Sequence, residues 1–510
     1  MSTQAEVAAF AKLDRSVFNQ TIQLPALRFP KQRCQELMRL FDGHTLDRPR
    51  VKCIVNDGQR TDTKLLLLKN PRGPDGGLGA EVQALLDGAG VEVNDYPLAM
   101  TYAMFSAEHV LRALLPAGID VPQSFETVGH IAHLNLREEQ LPYKLIIGQV
   151  LVDKNVHLKT VVNKIGSIDN EFRVFAMEVI GGESRLETEV MQHGIRFKLD
   201  FSQVYWNSRL EKEHERLVEG FRFTDTVVDV MAGIGPFALP AAQKGCTVYA
   251  NDLNPASVHY LTLNARNNKV LTRLSPFKMD GRRFIRMLAG DPAAAAACLA
   301  EAETSEPPVP LPPSSSSSER SQADAASSGS GSGSNWCPTL PVGYRPAPLL
   351  FQHAIMNLPA SAIEFLDAYN GAFDPTVWSE ETLPTVHCYT FMKSPEVEAD
   401  IIAKAEHYLG GKLPTPPSIH VVRDVAPKKL MLCLSFKLPG SIAFAGRSTP
   451  ATTSGDATAG VRHPGAESTE AAAKGVAVAG SLAEDVTSLN GDGVSASASK
   501  RPRLETPAAS

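Results

Sequence analysis

The stretch from Thr226 to Gly245, TVVDVMAGIGPFALPAAQKG, decides how the rest of the chain is read. Its apolar run from Val227 to Val230 reads as a strand, with Asp229 near the end. A glycine turn follows, Ala232-Gly233-Ile234-Gly235, and then a helical pattern. In a doubly wound sheet this turn lies at the carboxyl end of the first strand, where ligands bind. Glycines there let the backbone approach a ligand closely. The third glycine of a GxGxxG fingerprint is absent, and Pro236 starts the helix at a position that needs no N–H donor. The pattern therefore argues against a bound pyrophosphate and a nicotinamide oxidoreductase. It points to a cofactor without phosphate, such as S-adenosylmethionine.

Working outward, three more strand ends carry polar groups. CTVYAND ends in Asp252, about twenty residues past the turn, where an acid accepts both hydroxyls of a ribose. The alternative there is a helix cap ahead of Pro255, with Asn254 at the start. LSPFKMDGRRF ends in Asp280-Gly281, an acid and a backbone N–H that suit an adenine edge, or an ordinary turn. PLLFQHAIMNLPASAIEFL reads as strand, then Asn357-Leu358-Pro359, then helix. Asn357 offers one acceptor and two donors to a planar base, or caps the helix. Strand and helix alternate from 224 onward, which predicts an α/β fold with a parallel sheet covered by helices.

Upstream, 121–205 is dominated by strand signals: FETVGHIAHL, KTVVNK, FRVFAMEVI and IRFKLDF. Residues 206–222 read as a helix with Leu210, Leu217 and Val218 on one face. Residues 1–120 mix strand-like KCIVND and TKLLLLK with the helical SAEHVLRALL at 106–115. Two stretches, about 291–345 and 446–510, have the Pro, Ser, Gly and Ala density of disordered chain. The expected domains are 1–120, 121–205 and 206–440 with the 291–345 insert, followed by a 441–510 tail.

Composition narrows the function classes. The 510 residues are 43% hydrophobic and 21% charged, as in an ordinary globular protein. No run of eighteen apolar residues exists, so no membrane partner is expected. Seven cysteines without a CxxC pair support neither a disulfide framework nor a clustered zinc site, and no metal is expected. The net charge of −6 is uneven: 28–73 holds eleven Lys/Arg against five Asp/Glu. That patch is a candidate grip on a nucleic acid, or a solvated basic face. The N-terminus lacks a secretory core, and Glu6 and Asp14 interrupt a mitochondrial presequence. Lys500-Arg501-Pro502-Arg503 fits a nuclear-import signal or a chance basic spot.

The chain closely resembles the archaeal and eukaryotic tRNA (guanine-37-N1)-methyltransferase family. The resemblance rests on HLNLREEQLPYK (133–144), IDNEFRVFAMEVIGG (168–182), FSQVYWNSRLEKEHERL (201–217), DVMAGIGPFALPAA (229–242), NDLNPAS (251–257), MNLPASAIEFL (356–366) and HVVRDVAPKKLMLCLSF (420–436). It covers most of 120–440, and the first 120 residues match only loosely. It implies a class I (Rossmann-like) methyltransferase domain, preceded by smaller α+β domains of which the first contacts the tRNA. It implies methyl transfer from S-adenosylmethionine to N1 of guanine 37, next to the anticodon, in support of reading-frame maintenance. By the same resemblance Arg173, Glu213 and Asn357 form the catalytic centre. His214, Asp252, Leu253, Asp280, Gly281 and Asn357 surround the cofactor. Ser208 departs from the proline that relatives often carry, which touches a turn rather than the chemistry.

The chemistry fits those types. Guanine N1 carries a proton, and a buried carboxylate such as Glu213 is a suitable acceptor. Charge then spreads onto O6, where Arg173 is the candidate cation. Read without the resemblance, Glu213 is a surface residue of a charged helix, His214 a plain helix residue, and Arg173 a strand residue in a cross-strand pair. Two rivals remain: a wybutosine-pathway aminocarboxypropyl transferase and a catalytically silent tRNA-binding protein. The chain is expected to act as a monomer in the cytoplasm and nucleus, with the mitochondrial matrix as a further candidate.

Overall fold

The computed structural model describes residues 13–73, 77–122, 124–166, 172–297 and 349–447. Most of the 291–345 insert, the tail beyond 447 and its basic Lys500–Arg503 spot lie outside them. Two edges of these segments are ordered. Residues 292–297 are helical, with Asp291 accepting from the Ala293 N–H (3.0 Å). Residues 441–447, which the sequence assigns to the tail, fold back and bury Ile442 and Ala443.

The chain opens with an antiparallel sheet of order β2-β3-β1-β4: β1 Gln20–Pro30, β2 Ile54–Asn56, β3 Thr63–Leu67 and β4 Glu92–Met100. Leu27, Phe29, Leu37 and Leu86 form the core on one face. Leu24 and Ala26 pack on the other against Val110, Ile147 and Val150 from helices Ala107–Leu114 and Lys144–Lys154. The second sheet runs β5 Glu126–Val128, β6 Ile131–Leu134, β7 Thr160–Ile165 and β8 Ala176–Gly182. A hairpin follows, β9 Glu187–Gln192 and β10 Ile195–Asp200. It is pinned by Asn264, which is fully buried and exchanges hydrogen bonds with the Lys198 backbone (2.8 and 3.0 Å).

The largest sheet has seven strands: β11 Thr226–Asp229, β12 Thr247–Asn251, β13 Leu274–Phe277, β14 His353–Met356, β15 Thr385–Lys393, β16 Ser418–Ala426 and β17 Lys429–Lys437. Their order is β13-β12-β11-β14-β15-β17-β16; the first five are parallel, and β17 and β16 close the edge antiparallel. The central strands β11, β12, β14 and β15 are largely buried because both faces are covered, whereas the edge strand β16 is mostly exposed. Val227 packs into one core and Val228 and Val230 into the other. The order reverses between β11 and β14, which is the topological switch point.

Candidate active site

The glycine turn stands where the motif predicts, directly after β11. Gly233 and Gly235 have φ of +56° and +98°. The left-handed backbone at Gly235 is what favours glycine, and a Cβ there would also press on the Leu239 and Leu261 methyls (2.1 and 2.7 Å). The helix begins later than expected, at Ala238 rather than Pro236. The first helical bond, from the Leu239 N–H to the Gly235 carbonyl (2.9 Å), still encloses the proline.

Asn251 ties the strand ends together. Its amide donates to the Val230 and Met279 carbonyls (3.1 and 3.0 Å) and accepts from the Met279 N–H (3.0 Å). Asp252 accepts from the Gly233 N–H and the Asn254 N–H (2.8 Å each). Part of its surface still faces the cleft, while burial pushes its carboxyl up to about 6. Asn254, not Asp252, caps the next helix by accepting from Ala256 (2.9 Å), so the cap and ribose readings fall on different residues. Leu253 is 41% exposed, an apolar face beside the acid. Asp280 is exposed and caps its helix through the Arg283 N–H (3.1 Å); Gly281 is buried against Val230 and Phe365.

Buried polar atoms without partners gather at this end of the sheet. Among the described residues they include both ring nitrogens of His214, both carboxylate oxygens of Asp229 and Oδ1 of Asn357. Such groups are rare in a folded protein and ask for a ligand. Asp229 is fully buried, and burial together with the nearby Asp252 pushes its carboxyl well up, against a weaker opposing pull from the Met231 N–H, which stands outside good hydrogen-bond geometry. His214 stacks edge-on against Phe237 at 4.7 Å, and burial holds it down to about 3, hence neutral. Unpaired acceptors, a side-chain-free turn and an exposed leucine fit S-adenosylmethionine. Asp252 would hold the ribose, Leu253 and Asp280 the adenine, and Asp229 the charged amino-acid end. Sequence reasoning noted Asp229 but gave it no role; a carboxylate closing an apolar strand was the available signal.

Asn357 also lines a cavity of about 200 Å³. Its walls hold Phe175, Tyr205, Trp206 and Phe391, with Glu126 and the cations Lys164, Arg209 and Arg423. That is below the roughly 300–1,000 Å³ of drug-sized sites and suits one ring system. A second cavity of about 580 Å³ shares Arg209 and Arg423 and adds Lys428 and Lys429. Burial and Arg209 push the Arg423 guanidinium down; burial and Lys393 do the same to Lys429.

Glu213 is not the surface residue its helix suggests. It is 5% exposed, on helix Glu211–Glu219. Arg216 grips both of its oxygens (2.7 and 2.6 Å), Tyr389 donates to Oε1 (2.7 Å), and His420 Nε2 stands 3.3 Å from Oε2. Tyr389 and Cys433 pair across β15 and β17, and the next same-face row, Phe391 and Met431, lines the smaller cavity. Glu213 thus meets the row next to the cavity wall and does not itself line the cavity. Arg173 is a loop residue with φ +58°, ahead of β8 rather than in a strand. It makes no cross-strand ion pair among the described residues and does not line the cavity. The basic patch also changes: Arg28 and Arg60 pair with Glu92, Arg28 with Asp57, Arg33 with Glu36, and Arg72 with Asp95.

Strand order, glycine turn and acidic strand ends define a Rossmann-like methyltransferase. The family descriptions "TRM5/TYW2 methyltransferase domain" and "TYW2 N-terminal domain" match residues 188–296 and 107–185. A tRNA (guanine(37)-N(1))-methyltransferase of Phytophthora infestans is 39% identical over 443 residues, covering 85% of this chain and 93% of that one. The human protein of that name is 37% identical over 446 residues, covering 87% and 79%. A solved complex of aTrm5 with tRNALeu shares the fold: TM-score 0.54, 21% identity, 81% of this chain and 99% of that one. The chain belongs to the tRNA (guanine(37)-N(1))-methyltransferase family.

Proposed function

We propose that this chain transfers the methyl group of S-adenosylmethionine to N1 of guanine 37 in tRNA. The observation that carries the reading is the position of Asn357. Its unpaired Oδ1 ends the switch-point strand and its side chain lines the aromatic cavity, so one residue faces both cofactor cleft and base pocket. S-adenosylmethionine supplies an electrophilic methyl on a sulfonium. Asn357 holds the edge of the guanine in line with it. The guanine leaves its stack to enter the pocket, where Tyr205, Trp206 and Phe391 offer stacking faces. Glu213 takes the N1 proton, which requires the base edge to reach the cavity floor or the Arg216 grip to loosen. Apo geometry of this kind does not exclude a catalytic base. Arg173 turns toward O6 when the substrate is bound. His214, Asp252, Leu253, Asp280 and Gly281 surround the cofactor.

The crowded cations Arg423, Lys393 and Lys429, beside Arg209 with its Glu126 partner, support a polyanion at the cavity mouth, because a phosphodiester relieves their mutual repulsion. The domain division at 120 and 205, a monomeric state, and residence in cytoplasm and nucleus with the mitochondrial matrix belong to the same proposal, with the last folded domain running to 447 rather than 440.

The test is methylation of unmodified transcripts with G or A at position 37, located by mass spectrometry, with Glu213→Ala as control. Methyl on N1 of G37, absent with A37 and strongly reduced in the variant, is the expected result. A larger group on carbon establishes the aminocarboxypropyl rival. Binding without transfer leaves a tRNA-binding protein.

A further inference from the structure

Glu213 has a problem that its burial creates. A carboxylate that accepts a proton in every cycle must lose it again, and 95% enclosure denies it direct contact with bulk water. The groups facing it decide where the proton goes. Arg216, on its own helix, is a permanent cation whose charge Glu213 reinforces and whose two contacts leave it nothing to accept with. Tyr389, on β15, is a buried phenol pushed well above its usual range by burial, so it donates and does not carry a proton away as phenolate. Cys433, on β17, is buried with its thiol pushed up. His420, on β16, differs from all three. Its side chain is 44% exposed, and its Nε2 lies 3.3 Å from Glu213 Oε2. It stands beside Cys433 in the strand register, on the edge of the sheet. Among these neighbours it is the titratable group that touches both the buried carboxylate and solvent.

We propose that His420 is the proton exit of Glu213. This rests on Glu213 being the acceptor of the N1 proton. The N1–CH3 bond forms as the sulfonium S–CH3 bond and the N1–H bond break, and the proton moves to Glu213 Oε2. His420 takes that proton on Nε2 and passes one proton to water, and exchange of its half-exposed ring with water frees Nε2 again for the next turnover. Each turnover frees one proton, and Glu213 is ionised again for the next. His420 touches neither the base nor the cofactor, so it is a positioning and relay residue rather than a catalytic one.

The relay predicts a split between two measurements. With excess enzyme and G37 transcript, His420→Gln keeps the single-turnover methylation rate within about twofold, because the Arg216 contact that readies Glu213 for its first proton is untouched. In multiple turnover its kcat falls about tenfold, and added imidazole restores most of the loss, as an external base replaces the missing one. Glu213→Gln loses both rates and is not rescued. Equal kcat in His420→Gln and wild type overturns the relay, and so does an equal fall in both rates without rescue, which marks a packing role. Retention of the single-turnover rate by Glu213→Gln overturns the acceptor reading itself.

Discussion

At the amino end of the seven-stranded sheet, Asp225, His353, His387 and Ser435 form a closed chain. His353 Nε2 meets Asp225 (3.3 Å), His353 Nδ1 meets His387 Nε2 (3.1 Å), and His387 Nδ1 meets Ser435 Oγ (2.8 Å). One set of neutral tautomers, assigned from this network, satisfies every link: Ser435 donates to His387, His387 to His353, and His353 to Asp225. Phe221 stacks on His353 at 4.4 Å. At the carboxyl end, on β11 and β14 again, Asp229 and Asn357 are left with unpaired atoms. Both ends bury polar groups, and only one completes their bonding. A complete network contributes stability and specifies packing, whereas an incomplete one costs stability until a ligand arrives. The location of the unpaired atoms therefore marks the site more sharply than burial or charge does.

The strongest way to break this contrast is Asn357→Ala. Removing the residue shared by cofactor cleft and base pocket should cut the single-turnover rate by a factor of about 100 or more. The melting temperature without ligand should stay level or rise, since an unpaired buried carbonyl disappears. A large drop in melting temperature with activity retained would make the carboxyl end as structural as the other.

The converse is His387→Ala. It removes the partner of Ser435 Oγ and of His353 Nδ1 and opens a hole, at a cost of about 2–3 kcal/mol in denaturant unfolding. The methylation rate should change less than twofold. Its pH dependence sharpens the point. Burial, His353 and Arg216 hold folded His387 down to about 3, against roughly 6.5 in the unfolded chain. As pH falls, the unfolded chain takes the proton first. The contribution is therefore complete above roughly 6.5 and is lost progressively toward 3. The alanine variant should show a shallower loss of stability between pH 7 and 5.

Asp252 tests the carboxyl end by pH. Its carboxyl sits at about 6 in the free protein, and ribose hydroxyls bind its ionised form. Cofactor affinity, measured by calorimetry, should be flat above pH 7 and fall about tenfold between pH 7 and 5. Asp252→Asn should bind more weakly at pH 7.5 and lose that slope. A wild-type profile in the variant would remove Asp252 from the ribose.

Much of the carboxyl end was legible because it is local. Strand, glycine turn, helix and the acid of the next strand lie within about thirty residues, each with its own turn chemistry. Glu213 was not legible as a buried residue. Its helix is charged all round, and what covers it is Tyr389, 176 positions away. Arg173 was misplaced because alternation in FRVFAMEVI continues through it, while the left-handed backbone starts the strand three residues later. The His353–His387 contact was not legible either, because it depends on β14 lying beside β15 and runs diagonally, His353 being opposite Thr385 and His387 opposite Ile355. The 28–73 patch was overcounted because Glu92 and Asp95, which pair with Arg28, Arg60 and Arg72, lie outside that window on β4.

That last point gives the smallest expected effect and compares two basic regions. Arg33 and Arg60 already face carboxylates, so a phosphate must compete with Glu36 and Glu92 for them. Arg423 faces Arg209, and Lys429 faces Lys393. Arg423 donates to the Asp424 carbonyl (3.1 Å) and Lys429 lies over Phe391 (3.8 Å), and among the described residues neither is ion-paired with a carboxylate, so a tRNA phosphate there gains attraction without displacing an anion. Arg423→Ala and Lys429→Ala should each weaken tRNA binding a few-fold and lower the slope of log affinity against log salt by about 0.7–0.9. Arg33→Ala and Arg60→Ala should leave that slope within error. If the N-terminal pair carries the slope instead, the grip on the tRNA body belongs to the first sheet, and ion pairing in the free protein is a poor guide to which cations meet the RNA.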